Sequence, residues 1–366
     1  MQFRIRCVVV FLFLTGCLFS LDAANENSRE WFQFEMAPID PLFREPLADP
    51  FSHGTSFRYV SVSDPDSVPH SVLVCEDGQY KEIAFEDDDF QEAHNFWHMK
   101  SAANIGLLRF TFGPIQMEGY LQGGINTVFQ AFGSQDALGF DGMYGAGVTV
   151  RLFDIVAIQG GFHHFSGHWG DEILSNLVER GYDLSSFHLE EYTRGNSWMA
   201  GLSLEPTHHL RAYCFAELPM KSAWIRPGVH VPSFVIKPNS TDQSQFEYIT
   251  GQEGLSGLQP YDDSYKAWRF QYGLEYRIPV SSFGSLFFAG DMQLHQDGQT
   301  LHQVNGYSAD NPWETEYTVG GGFEFNQSLL GRKFRLEVYY HEGRFPLLNY
   351  FFQRSKYLVM GLAING

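Results

Sequence analysis

The chain is short of positive charge. Lys and Arg supply 24 residues against 43 Asp and Glu, giving a formal net charge of −19, and no basic cluster offsets it. Nucleic-acid binding needs basic patches that meet phosphates, so this composition excludes that class. Cysteine is scarce: Cys7 and Cys17 lie in the N-terminal leader, and Cys75 and Cys214 remain, with no CxxC spacing for a metal or redox site. Oxidising surroundings permit their pairing without requiring it. No GxxxxGK, GxSxG or HExxH occurs, so nucleotide hydrolysis, α/β-hydrolase chemistry and zincin chemistry have no anchor. Beyond the leader there is no run of about 18 apolar residues, which excludes a spanning helix.

What is present is aromatic residues, glycine and a leader. Aromatics make up 16% of the chain and Gly contributes 36 residues, while charged residues reach only 18%, a mixture suited to aromatic-rich strands joined by polar loops. Arg4 and Arg6 precede a short apolar run ending near Ala23 and Ala24, which reads as an export signal over residues 1–24. Leu14-Thr15-Gly16-Cys17 also resembles a lipobox, with Cys17 the acylated residue, and the two fates of the leader stay open. An exported chain without a spanning helix is periplasmic, secreted, or a barrel in the outer membrane.

Alternation decides among these, because a membrane barrel sends apolar side chains to lipid and polar ones inward at every second residue. Trp268, Phe270, Tyr272, Leu274, Tyr276 and Ile278 alternate with Arg269, Gln271, Gly273, Glu275 and Arg277. The same dyad runs through Asp141–Leu152, Ile115–Ile125, Ser285–His295, Glu316–Asn326 and Lys333–His341. The polar face carries Arg, Glu and rows of Gly, as a narrow lumen filled by ion pairs requires, whereas a soluble sandwich favours Lys, Thr and Ser there. The reading is an all-β chain: an antiparallel transmembrane β-barrel of about 12 strands at residues 55–366, in the outer membrane of a Gram-negative cell, with residues 25–54 a periplasmic N-terminal segment.

Connections sort by length. Gly113-Pro114, Phe153, Glu205-Pro206-Thr207, Pro279–Phe283 and Asn326–Arg332 are short and belong to the periplasmic side. Ser63–Ser101, Gly167–Asn196, Leu218–Lys266, Gln296–Pro312 and Glu342–Ser355 are long and belong outside. The acidic runs Glu86-Asp87-Asp88-Asp89 and Asp262-Asp263 read as solvated loop charge, and Asn239-Ser240-Thr241 as an unmodified sequon. The final strand, Tyr357–Ile364, ends without the terminal aromatic common in such barrels.

The stretch GFHHFSGHWGDE, Gly161 to Glu172, is the one segment with chemistry to weigh. Together with PLADP at Pro46–Pro50, Arg211 and Tyr213, Gly273-Leu274-Glu275-Tyr276 and Leu336-Glu337-Val338-Tyr339-Tyr340 before Gly343, it resembles a bacterial family of unknown function whose central motif reads YHxSSHxGDE. The resemblance implies an outer-membrane β-barrel and brings no activity with it. His163 replaces the family's Tyr and Gly167 its second Ser, so neither of those side chains carries over.

On the strand rising from Asp154, His164 and Ser166 continue the apolar face of Val156, Ile158 and Phe162, and so point to lipid near the extracellular rim. Two outer-membrane lipid hydrolases, a phospholipase A and a lipid A deacylase, are similar in carrying a His-x-Ser pair on the outer face of a strand. An imidazole at i takes the proton from a serine hydroxyl at i+2 as it attacks an acyl ester. The candidate catalytic residues are His164, Ser166 and His168, with Asp171, Glu172 or Asn176 as an orienting group, and Ca²⁺ is a cofactor only on the hydrolase reading. The plainer reading has these side chains meeting headgroups or loop backbone, ahead of a short helix at Glu172–Arg180. A metal at His164 and His168 fails on a continuous strand, where i and i+4 lie about 13 Å apart.

Three functions follow in order: a surface-exposed structural or binding barrel, a lipid acyl hydrolase, and a narrow pore. The partners expected are outer-membrane lipid and the barrel-assembly machinery.

Overall fold

The structure is a computed structural model that describes residues 31–64, 67–76, 79–84, 94–133, 135–181, 188–189, 191–220, 225–226, 234–236, 246–248, 268–295, 313–329, 332–351 and 353–364. The leader with Cys17, the acidic runs at 86–89 and 262–263, and the sequon at 239–241 lie outside the described residues. In chain order the elements are β1 (Phe32–Met36), β2 (Thr55–Val62), β3 (Ser71–Glu76), β4 (Gln79–Ala84), β5 (Asn95–Phe112), β6 (Ile115–Gln130), β7 (Ala137–Leu152) and β8 (Val156–Trp169). Next come α1 (Asp171–Glu179), β9 (His188–Leu189), β10 (Glu191–Leu204), β11 (Leu210–Pro219), β12 (Ile225–Arg226), β13 (Phe234–Ile236) and β14 (Phe246–Tyr248). The last are β15 (Arg269–Ser281), β16 (Gly284–His295), β17 (Glu314–Leu329), β18 (Arg332–Arg344) and β19 (Arg354–Ile364).

Twelve strands close one antiparallel barrel, in the order β5-β2-β19-β18-β17-β16-β15-β11-β10-β8-β7-β6, with β6 pairing back to β5 along nearly its whole length. Closure leaves no barrel edge to satisfy, which is the condition for strands to cross lipid. The dyad does what its period demands. Tyr272, Leu274, Tyr276 and Ile278 are exposed on the outer wall, while Arg269, Gln271 and Glu275 are buried inside. Among the described residues no helix is long and apolar enough to cross a membrane.

Ion pairs fill the lumen. Arg211 meets Glu275 at 3.0 Å, Arg58 meets Glu337 at 2.7 Å, Arg109 meets Glu118 at 2.6 Å, Arg335 meets Glu337 at 3.4 Å, and Arg269 lies 3.7 Å from Glu217. Arg277 joins Glu275 at 3.3 Å and Glu324 at 3.9 Å. Glycine serves one close approach here: a Cβ at Gly147 or Gly161, partners across β7 and β8, would fall 2.6 or 2.7 Å from the Tyr120 hydroxyl, whose ring fills the lumen beneath them.

The N-terminal part departs from the expectation of a periplasmic segment at 25–54. β1 adds to the barrel wall, pairing with the periplasmic half of β5 (Phe32 opposite Phe112, Met36 opposite Leu108), while β2 pairs with the upper half (Ser61 opposite Asn95). Between them residues 37–54 leave the wall and run through the lumen, burying Leu42, Phe43, Leu47, Ala48 and Phe51. The wall supplies the acceptors and the donor that this irregular backbone needs. Glu118 accepts from Leu42 N at 3.0 Å, Glu275 accepts from Leu47 N at 3.0 Å, and Lys100 donates to the Pro50 carbonyl at 3.1 Å.

At the periplasmic end the turn residue Glu205 takes hydrogen bonds from Arg44 at 2.6 Å and from Arg151 at 3.2 and 3.0 Å. Burial works against ionising this carboxyl. The hydrogen bond from Arg151 and the charges of Arg44, Arg151 and Arg211 outweigh that and hold it below its ordinary range.

At the extracellular mouth the apolar core continues up from Leu47 and Phe51 in the lumen. Leu138, Trp169, Ile173, Leu177, Leu347, Leu348 and Tyr350 belong to one buried apolar cluster that ties α1 and the β18–β19 connection to the rim. Luminal Asp141 accepts from Leu348 N at 3.1 Å, and Asn126 donates to the Pro346 carbonyl at 2.7 Å. The boundaries shift from the sequence reading in consistent ways. α1 begins at Asp171 rather than Glu172, β8 continues to Trp169, β5 starts at Asn95, and β19 starts at Arg354 rather than Tyr357, because rim residues extend the ladders upward. Cys214 is a free thiol on β11.

Candidate outer-face site

The site grows out of the ladder of β8. Its neighbours are β7, where Tyr144 stands opposite His164 and Gly142 opposite Ser166, and β10, where Asn196 stands opposite His164 and Thr193 opposite Ser166. Ile158 and the exposed Tyr144 and Phe140 mark the outer face, and even-numbered residues of β8 continue it through His164, Ser166 and His168.

Because β8 runs on to Trp169, His168 stays on the face of Ser166 instead of turning into a loop. The hydrogen bond placed in the motif joins them: His168 Nε2 lies 3.1 Å from Ser166 Oγ. His164 stacks on Tyr144 with ring centroids 4.4 Å apart, and His168 stacks on Phe140 at 4.7 Å. Both imidazoles are thereby clamped on aromatic rings. Gly142 keeps space open before the serine, since a Cβ there would sit 3.1 Å from Ser166 Oγ.

Depth follows from strand geometry. From Val156, beside the periplasmic turn, to Ser166 is about ten residues of β8, or roughly 33 Å at 3.3 Å per residue. Tilted by about 40°, that climbs roughly 25 Å, the full height of a barrel's apolar band. Ser166 therefore stands near the upper boundary of that band. Exposed Phe153 and Phe283 belong to the opposite, periplasmic girdle.

Of the sequence candidates, the structure brings Ser166 and His168 into contact and puts His164 on the same face. Asp171, Glu172 and Asn176 fall in α1, which Ile173 and Leu177 anchor to the apolar cluster at the mouth. Reading the sequence alone missed Gly142, because only the register between β7 and β8 sets it beside Ser166. Among the described residues no three His, Cys, Asp or Glu side chains form a metal-holding group.

A closed twelve-stranded barrel with an apolar outer belt and an ion-paired lumen defines an outer-membrane β-barrel protein, resident in the outer membrane. No family model matches the chain, and no curated protein matches it in sequence. Solved structures that it resembles are outer membrane phospholipase A from Escherichia coli (10% identity, 90% of this chain and 94% of that one, TM-score 0.46) and the Salmonella typhi outer membrane phospholipase dimer with bound calcium (10%, 85% and 90%, 0.45). The NanC porin follows (10%, 85% and 98%, 0.37). Likeness at this level says nothing about activity.

Proposed function

We propose that this barrel is an acyl hydrolase of outer-leaflet lipid, with Ser166 as nucleophile and His168 as general base. The observation that carries the reading is the 3.1 Å contact between His168 Nε2 and Ser166 Oγ on the outer face of β8. A serine there attacks the ester carbonyl of an acyl chain as the imidazole takes its proton. The imidazolium then returns the proton to the departing alcohol, and water releases the fatty acid in a second, like step. A polar pair on the lipid side of a barrel is costly unless it serves such a purpose or meets headgroups. His164 is the second imidazole on this face, with Asn196 opposite it in register.

The test is fluorophosphonate labelling and fatty-acid release from vesicles of phospholipid or lipopolysaccharide, with and without Ca²⁺. Wild type labels and releases fatty acid, and Ser166→Ala does neither. Wild type that never labels overturns the reading. Activity lost in His164→Ala but kept in His168→Ala moves the base role to His164 and leaves the nucleophile in place.

The stacked pairs His164–Tyr144 and His168–Phe140 favour a second reading, a surface binding barrel whose clamped imidazoles hold lipid headgroups. On that reading the same substitutions weaken lipid retention without any labelling to lose.

A further inference from the structure

Apart from the outer face, the lumen holds a small cavity between the threaded segment and the wall. His53 comes from the segment and His163 from β8, and Glu45, Asp49, Gln122, Glu217 and Arg269 are among the other polar residues that line it. Both imidazoles are short of partners. His53 Nε2 and both ring nitrogens of His163 are buried with no hydrogen-bond partner, as is Gln122 Nε2. A buried polar group left so costs about 1–3 kcal/mol, and several aimed into one cavity mark a place for a ligand.

The chemistry of the lining selects the ligand. Behind each imidazole stands a carboxylate: Glu45 lies 3.8 Å from His53 Nδ1, and Glu217 lies 3.8 Å from His163 Nδ1. At that separation the carboxylates are not hydrogen-bonded to the rings, but each sets a negative charge beside an imidazole, which favours a cation there. The ring centroids are 5.4 Å apart. Two imidazoles bound at about 2.1 Å to one tetrahedral ion place their centroids roughly 5 Å apart. Glu45, Asp49 and Glu217 outnumber Arg269 around the cavity, so it favours a cation over an anion. Its volume of about 40 Å³ admits an ion with a water or two.

We propose that His53 and His163 bind one divalent transition-metal ion inside the barrel, with water completing the coordination. Imidazole nitrogen selects Cu²⁺ or Zn²⁺ over Mg²⁺ or Ca²⁺. Since His53 sits on the threaded segment and His163 on the wall, the ion fastens one to the other. The proposal is independent of the outer-face chemistry.

The test uses the full-length barrel in detergent, stripped with chelator, then titrated with Zn²⁺ by calorimetry and with Cu²⁺ by electron paramagnetic resonance. One ion per barrel binds, and the Cu²⁺ signal carries splitting from two imidazole nitrogens. His53→Gln and His163→Gln each abolish this event, and Glu217→Gln, which removes a negative charge beside His163, weakens it. His209→Gln, at the exposed periplasmic turn, leaves it intact. Absence of a stoichiometric event in wild type overturns the proposal, as does one that survives both luminal His changes. Should either variant fail to fold, the wild-type spectrum decides: fewer than two coupled nitrogens overturns it.

Discussion

Arg211 and Glu275 face each other across β11 and β15 at 3.0 Å, and neither side chain is exposed at all. Glu275 also accepts from Leu47 N, and Arg211 donates to the Glu45 carbonyl at 3.2 Å, so this pair ties two wall strands to the threaded segment. Breaking it strands a buried charge. Glu275→Gln is expected to cost about 3–5 kcal/mol in denaturant unfolding; an unchanged midpoint would mean that water reaches the pair.

The register makes a sharper claim. Cysteine at positions 272 or 276, in a background lacking Cys75 and Cys214, reacts with a lipid-soluble photoprobe, and cysteine at 269 or 275 does not. The reverse pattern is incompatible with the inward burial of Arg269 and Glu275.

The filled lumen sets the electrical behaviour. Wild type in planar bilayers passes no steady current, and replacing residues 38–53 with a short Gly-Ser linker opens a conducting path. Wild type conducting as well as the variant would restore the narrow-pore reading that the packed interior argues against.

At the outer face, Ser166→Ala and His168→Ala each remove acyl release, and the double variant loses no more than either single one, because the two act as one unit. Unfolding stays within about 0.5 kcal/mol, as for substitutions away from buried networks. Additive losses would show that the two side chains work separately.

Glu205 gives the acid side of stability. Its carboxyl is held below the ordinary value of 4.5 in the folded protein, so its contribution is present above that pH and is lost as pH falls through the lowered folded value. Glu205→Gln is expected to destabilise the barrel at pH 7 and to flatten the stability loss below pH 4.5. A variant as acid-sensitive as wild type would remove Glu205 from the account.

The barrel was legible in the sequence because its rule is local. Trp268 to Ile278 announces two faces by period alone, and inward Arg and Glu announce partners without saying which. The threaded segment was not legible. Leu42, Phe43, Leu47, Ala48 and Phe51 follow no strand period, and what buries them is a wall that arrives much later in the chain, through Glu118, Lys100 and Glu275. The outer site lay between these cases. The period put His164 and Ser166 on one face correctly, but it stopped the strand at Ser166. Three further residues of ladder, held by Trp169 opposite Gly139, bring His168 to the serine.

The segment inside the barrel is held at both ends by the same neighbour, since β1 and β2 each pair with β5. It is therefore a loop and not a cork. It can leave the lumen only as a loop still tethered at both ends, so no transport cycle can eject and recapture it as a free domain. The constraint also orders assembly. The seam between β19 and β2 joins the last wall strand to one of the first, and sealing it traps whatever residues 37–54 have reached by then. The interior must be furnished before the door is shut, so a change that slows the collapse of Phe43 or Phe51 into the lumen shows itself as barrels sealed empty, even where the finished protein would have been stable.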